Sequence, residues 1–206
     1  ISLKSGRALL EALTMAGYGG HPVVIGEDGT WSLLERRFLG DVIQLPSRVP
    51  KAVSSARLSG RPLVVANALA GYGVRVVVLG LHGKFGEDGS VQGFLQTAGF
   101  EWTGCDVTAS ALAMDKIQFK RALRGAGVAT PPFREIIQGP GASSAIDAAI
   151  DVLGMPLVVK APALGSSVSV HIADDRESVH EAASEVLAVD GRALMEAYVS
   201  GKELTV

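Results

Sequence analysis

The feature that most constrains this chain is the run Val76-Val77-Val78-Leu79, four apolar residues set directly before a glycine-rich loop. A short continuous apolar run suits a strand buried on both faces, as in a parallel sheet. The loop at 80–89 leads into a helix expected from about Ser90 to Ala98, with Val91, Phe94, Leu95 and Ala98 inward and Gly99 as its stop. Another short strand is expected near Glu101 to Thr103. Strand, loop, helix and strand make a βαβ unit. In such sheets ligands sit at the carboxyl ends of the strands, which is where this loop lies.

Before that unit, Ser2 or Ser5 caps a helix expected to run to about Ala16, with Leu9, Leu13 and Ala16 on one face. His21 to Ile25 reads as a strand and Gly26–Gly29 as a turn, whereas residues 46–73, rich in Pro, Gly, Ser and Ala, carry no clear periodicity. A second region begins near Cys105. Asp115 caps a helix over Lys116–Ala126, with Phe119, Ala122, Leu123 and Ala126 expected inward and Pro131-Pro132 blocking its continuation. Strands are expected at Phe133–Ile137, Leu157–Lys160, Val168–Ile172 and Ala193–Val199. Helices are expected from Ser143 or Ser144 to Leu153, and from Asp174 or Asp175 through Val179, Ala182, Ala183 and Val186.

With 48% hydrophobic residues and 19% charged ones, the chain can bury a core and is not of disordered composition. A net charge of −2 gives no electrostatic case for nucleic acid. One cysteine, Cys105, excludes an intramolecular disulfide and is expected as small buried or half-buried packing. No apolar stretch approaches the roughly 18 residues of a membrane span, and the segment with Lys4, Arg7 and Glu11 is not a leader peptide, so a soluble cytoplasmic protein without a membrane partner is expected.

Four constellations carry chemistry. In His82-Gly83-Lys84-Phe85-Gly86-Glu87-Asp88-Gly89, three glycines permit positive φ and close approach of a ligand to backbone, and His82 supplies a donor. A turn with capping acids fits the same residues. Lys160 closes an apolar strand before Gly165-Ser166-Ser167, a loop whose N–H and hydroxyl groups suit phosphate oxygens; a hairpin with a solvated lysine is the other reading. Lys116, opening its helix, also suits a phosphate or a solvated surface. Glu196 sits among apolar residues, where a carboxylate suits the amino group of adenine or a ribose hydroxyl, or an exposed strand position. Neither glycine loop is a Walker A or a kinase glycine loop.

Taken in order, His82–Gly89, Gln92-Gly93, Ser110-Ala111, Met114-Asp115-Lys116, Val159-Lys160, Gly165-Ser166-Ser167-Val168, Glu196 and Gly201-Lys202-Glu203-Leu204-Thr205-Val206 resemble the D-alanine–D-alanine ligase series, from the first residue to the last. That family belongs to the ATP-grasp enzymes. The resemblance implies an α/β fold: a Rossmann-like, pre-ATP-grasp parallel-sheet domain over 1–104, a central α+β ATP-grasp subdomain over 105–200, and in 201–206 the start of a C-terminal ATP-grasp domain. Ile1-Ser2-Leu3 matches a Val-Ser-Leu that follows the family's first strand, so both ends read as cut. Lys160-Ala161-Pro162 carries an alanine where Lys-Pro is usual, and Ser169 stands where glycine is common.

The resemblance implies roles as well. Lys116 and Lys160 fall at the ATP-phosphate lysines, Ser166 and Ser167 in the loop that covers the phosphates and touches substrate, and His82 near the first D-alanine. Glu196, Ala197 and Val199 fall on the adenine side and Glu203 on the ribose side. The implied activity is the ATP- and magnesium-dependent joining of two D-alanines through a D-alanyl phosphate for peptidoglycan, by a homodimer. Magnesium ligands are expected outside this chain, so the chain alone is expected to be inactive. Two alternatives stay open: another ATP-grasp ligase of the D-alanine–D-lactate type, or a non-catalytic nucleotide-binding module.

Overall fold

A computed structural model of the chain describes residues 2–35, 56–164, 170–202 and 204. The chain divides into two units, Ile1–Val107 and Thr108–Val206, each built around its own sheet.

The first unit opens with helix α1 (Ser2–Met15), which buries Leu10 and Thr14 and half-buries Leu9 and Leu13. Strands β1 (Val23–Ile25), β2 (Trp31–Leu33) and β3 (Leu58–Gly60) form an antiparallel sheet in that order. The turn between β1 and β2 is closed by Gly26 N–H donating to Thr30 O (2.8 Å) and Thr30 N–H donating to Asp28 Oδ1 (3.0 Å), the side-chain turn that Asp favours. Within the stretch that lacked periodicity lie β3 and helix α2 (Pro62–Gly71), started by its proline.

Strand β4 (Val76–Val77) pairs in parallel with β5 (Glu101–Trp102) around helix α3 (Ser90–Thr97), which makes the expected βαβ unit. The sheet has two strands among the described residues, so burial on both faces is not reached: Val76 is 56% exposed. Trp31, Leu33, Val65, Leu69, Val91, Leu95 and Phe100 form this unit's core. On α3, Gln92 is buried and Ala98 exposed, so the inward face sits slightly off the expected one. Cys105 is exposed rather than packed, and its carbonyl accepts the Trp102 indole N–H at 3.0 Å.

Helix α4 (Val107–Met114) starts on the last residue of the first unit, and the second unit continues with α5 (Lys116–Gly125), β6 (Phe133–Ile137), α6 (Ala142–Leu153), β7 (Leu157–Lys160), β8 (Val170–Ala173), α7 (Arg176–Asp190) and β9 (Arg192–Ala197). The four strands form one antiparallel sheet in the order β6-β9-β7-β8. Helices α6 and α7 cover one face. There Ile136, Leu157, Val159, Ala193 and Met195 meet Ile146, Ile150, Val179, Ala183 and Val186. Asp175 closes a capping box with Ser178 at the start of α7, and Gly191 ends it in the left-handed region. Of the expected strand at 168–172, residues 168 and 169 lie outside the described residues.

Candidate functional site

Two polar constructions stand out, one in each unit. In the first, the glycine loop is folded by its own acids. Glu87 accepts from Gly83 N–H (2.5 Å), while Asp88 accepts from Phe85 N–H (2.8 Å) and Ser90 N–H (3.0 Å). Burial would raise the Asp88 pKa, but the backbone N–H donors outweigh it and hold the carboxyl below its ordinary value. Gly89 has φ +89°, and a Cβ there would meet the Val107 carbonyl oxygen at 2.8 Å. Buried Gln92 donates to Gly86 O at 2.9 Å and fixes the loop from below.

His82 is gripped from α1. Its ring Nε2 lies 2.8 Å from Ser5 Oγ, its backbone N–H donates to Ser2 Oγ (3.0 Å), and its Nδ1 lies 3.7 Å from Glu87 Oε1. The two serines, of which one was expected to cap the helix, both orient the loop histidine. Both imidazole nitrogens therefore face polar partners, and the ring is presented at the loop rather than packed in the core.

The second construction lies on the sheet face opposite α6 and α7. Strand alternation puts it there: Ala193 and Met195 point into the helix-covered core, so Leu194 and Glu196 point the other way. Leu194 packs with Ile117 of α5 and Phe133 of β6. Glu196 is 7% exposed, not an open strand position. Its Oε2 accepts from Lys120 Nζ at 2.8 Å, and its Oε1 pairs with Lys160. Lys160 is thus partnered, as the end of a buried apolar strand requires. Val158, Val170 and Ile172 share this face beside Lys160, and Ile172 is 61% exposed.

Lys120 was not anticipated. The expected inward face of α5 was Phe119, Ala122, Leu123 and Ala126. The buried residues are Ile117 and Lys120, with Leu123 half-buried and Phe119 40% exposed. The signal was legible in part: Ile117, Lys120 and Arg124 recur at helical spacing, and the latter two lie over the Phe133 ring at 5.3 and 5.7 Å.

Lys116 sits at the first turn of α5. Its ammonium donates to the carbonyls of Ala161 (3.2 Å), Pro162 (3.2 Å) and Leu164 (2.5 Å), the stem of the Gly-Ser-Ser loop. Burial lowers its pKa, and the positive charge of Lys160 lowers it further. Asp115 caps the helix by accepting from Ile117 and Gln118 N–H and pairs with Arg192 at 2.9 Å. Lys116, Lys160 and Glu196 are therefore brought to one region of the second unit. Ala197 is half-buried at the end of β9, its N–H donating to Pro132 O, and Val199 is exposed just beyond it. Ser166, Ser167 and Glu203 lie outside the described residues.

Among the described residues no three His, Cys, Asp or Glu side chains gather as they would to hold a metal ion, so no residue is assigned to one. No helix among them is long and apolar enough to cross a membrane.

Comparison with known proteins gives a consistent answer. The family models described as D-ala D-ala ligase N-terminus and D-ala D-ala ligase C-terminus match residues 1–105 and 122–206. A D-alanine–D-alanine ligase of Desulforudis audaxviator is 35% identical over 206 residues, covering 100% of this chain and 55% of the relative. D-alanine–D-alanine ligase A of Mesorhizobium japonicum is 36% identical over 209 residues, covering 99% and 58%. The crystal structure of the Bacillus anthracis D-alanine–D-alanine ligase complexed with ATP is 30% identical with a TM-score of 0.55, covering 66% of this chain and 45% of that one. D-alanyl-alanine synthetase A of Vibrio cholerae, at 23% identity and a TM-score of 0.70 over 97% of this chain and 55% of that one, shares the fold. The chain thus spans a little over half the length of the curated relatives that it matches end to end.

Proposed function

The chain belongs to the D-alanine–D-alanine ligase family, and on that premise we propose that the protein joins two D-alanines using ATP. The observation that carries this reading is the clustering of three lysine ammoniums in the second unit. Lys120 and Lys160 share one buried carboxylate, Glu196, and Lys116, whose charge Asp190, Asp115 and Glu196 also face, lies close enough to Lys160 for that second ammonium to lower its pKa. Two ammoniums on one carboxylate, with a third beside them, favour a polyphosphate, whose binding relieves the repulsion between Lys116 and Lys160.

In this reading Lys116 and Lys160 hold the ATP phosphates under the Ser166–Ser167 loop. Glu196, with Ala197 and Val199, takes the adenine edge beside the apolar strip Val158–Val170–Ile172, and Glu203 takes the ribose. His82 stands at the first D-alanine. A carboxylate oxygen of that D-alanine attacks the terminal phosphorus and ADP leaves. The deprotonated amine of the second D-alanine then attacks the acyl carbon, and phosphate leaves with the carboxylate oxygen. The lysines neutralise charge where it develops, and a covering loop excludes the water that would hydrolyse the acyl phosphate. Magnesium is a cofactor of the proposed reaction, with ligands from a part of the protein beyond the residues described. A cytoplasmic homodimer completes the proposal.

The test is ATP-dependent phosphate release by the protein at the full length of its relatives, with D-alanine, D-lactate and D-serine offered in turn as second substrate. Release requiring D-alanine alone supports the reading. Turnover only when D-lactate or D-serine is added assigns a different ligase, and no amino-acid dependence removes it.

A further inference from the structure

We propose that Lys120 is a positioning residue that serves as the permanent counter-ion of Glu196, leaving Lys160 as the exchangeable one. The two lysines reach the same carboxylate but are not equivalent. The Lys120 side chain is 10% exposed, and an ammonium has three donors. All three are used: Glu196 Oε2 at 2.8 Å, Thr130 Oγ1 at 2.5 Å and Pro131 O at 3.4 Å. The Phe133 ring lies beside it at 5.3 Å. Lys120 is thus tied to α5, to the segment before β6 and to β9 at once, and has no donor left to offer a ligand.

Lys160 differs in each respect. Its side chain is 22% exposed, and among the described residues Glu196 is its one ionic partner. Among the described residues its other two donors meet no partner, and it shares the sheet face turned away from α6 and α7 with exposed Val170. If Lys160 turned to an anion with no other cation present, a buried carboxylate would be left uncompensated, which is strongly unfavourable. Lys120 removes that cost. Lys160 can then release or share Glu196 and meet a phosphate, while the carboxylate stays paired and fixed in place. The consequence for ATP rests on the function proposed above; the division of labour between the lysines does not.

Residue-resolved acetylation of the 206-residue chain, read by mass spectrometry, tests the division directly. Lys160 is expected to react and Lys120 to stay protected. In Lys120→Met, Lys160 becomes the sole partner of Glu196, and its labelling is expected to slow severalfold; adding Glu196→Gln restores it. Equal labelling of Lys120 and Lys160 in the unsubstituted chain overturns the proposal even if Lys120→Met does not fold, and so does a Lys160 rate that Lys120→Met leaves unchanged. With the same substitutions in the protein at the full length of its relatives, the ratio of ATP to adenosine affinity is expected to fall on the order of tenfold to a hundredfold in Lys120→Met and to recover in the double variant. A purely structural lysine would lower both affinities together and leave the ratio unmoved, which also overturns the proposal. Should the unsubstituted protein at the full length of its relatives take up no ATP, the nucleotide reading fails, and the labelling still decides the role of Lys120.

Discussion

The Lys116 ammonium lies 2.5 Å from the carbonyl oxygen of Leu164, the last described residue before the Gly-Ser-Ser loop. With Ala161 O and Pro162 O also within 3.2 Å, one side chain gathers three carbonyls of the loop stem, and Pro162 O accepts the Lys116 backbone N–H as well, at 3.0 Å. Lys116→Met is expected to lower stability by about 1–3 kcal/mol, since a charged donor is withdrawn from half-buried acceptors. Urea denaturation measures it. A loss under about 0.5 kcal/mol, the level of an ordinary surface substitution, would mean the clamp is incidental.

Asp115 combines a helix cap with an ion pair to Arg192, and the two contributions are separable. Asp115→Asn keeps a capping oxygen and loses the charge, whereas Asp115→Ala loses both and is expected to cost about 1 kcal/mol more. Burial would raise the Asp115 pKa, but donors from Gln118, Arg192 and Ile117 outweigh it, so its folded value lies below 3.8. The stability it contributes is therefore present above pH 3.8 and is lost as the pH falls through the lowered value. Acid unfolding followed by circular dichroism is expected to be shallower below that pH in Asp115→Asn; an unchanged acid limb would refute the linkage.

Two glycines of the first unit's loop are expected to respond differently to alanine. Gly83 (φ +78°) has nothing within 4 Å of an added Cβ, so Gly83→Ala carries only left-handed strain, about 1–2 kcal/mol. At Gly89 the same strain is joined by a 2.8 Å approach to the Val107 carbonyl oxygen, so the backbone must shift and the loss is expected to be larger. Thermal melts of the two variants side by side check the order, and equal losses would show that the Val107 contact yields freely.

At Ile117, fully buried against Leu194 and Phe133, truncation to alanine is expected to cost about 2–5 kcal/mol. The same change is expected to weaken ATP affinity, because Ile117 seats the helix that carries Lys116 and Lys120. Denaturation and nucleotide titration on one preparation test the pair of effects. Lost stability with unaltered affinity would separate α5 packing from the site.

Much of this was legible because periodicity and punctuation agree. Phe133–Ile137 and Leu157–Lys160 are strands at the expected residues, and the capped start of α7 follows from Asp175. Pairing was less legible: nothing local in Val76-Val77-Val78 says that its sheet contributes two strands among the described residues, which leaves Val76 exposed. Lys120 was hidden for a related reason. A lysine on a helix reads as solvated until its buried partner is known, and Glu196 lies 76 residues further along the chain. Ser2 or Ser5 was read as a cap because the partner of both, His82, is equally remote.

The most direct measurement follows an oxygen atom. The protein at the full length of its relatives is supplied with ATP, magnesium and D-alanine labelled with oxygen-18 in the carboxylate, and the released phosphate is analysed by mass spectrometry. Phosphorylation of the carboxylate predicts one labelled oxygen in the phosphate for each dipeptide formed. Phosphate released without label, or without dipeptide, would contradict the account.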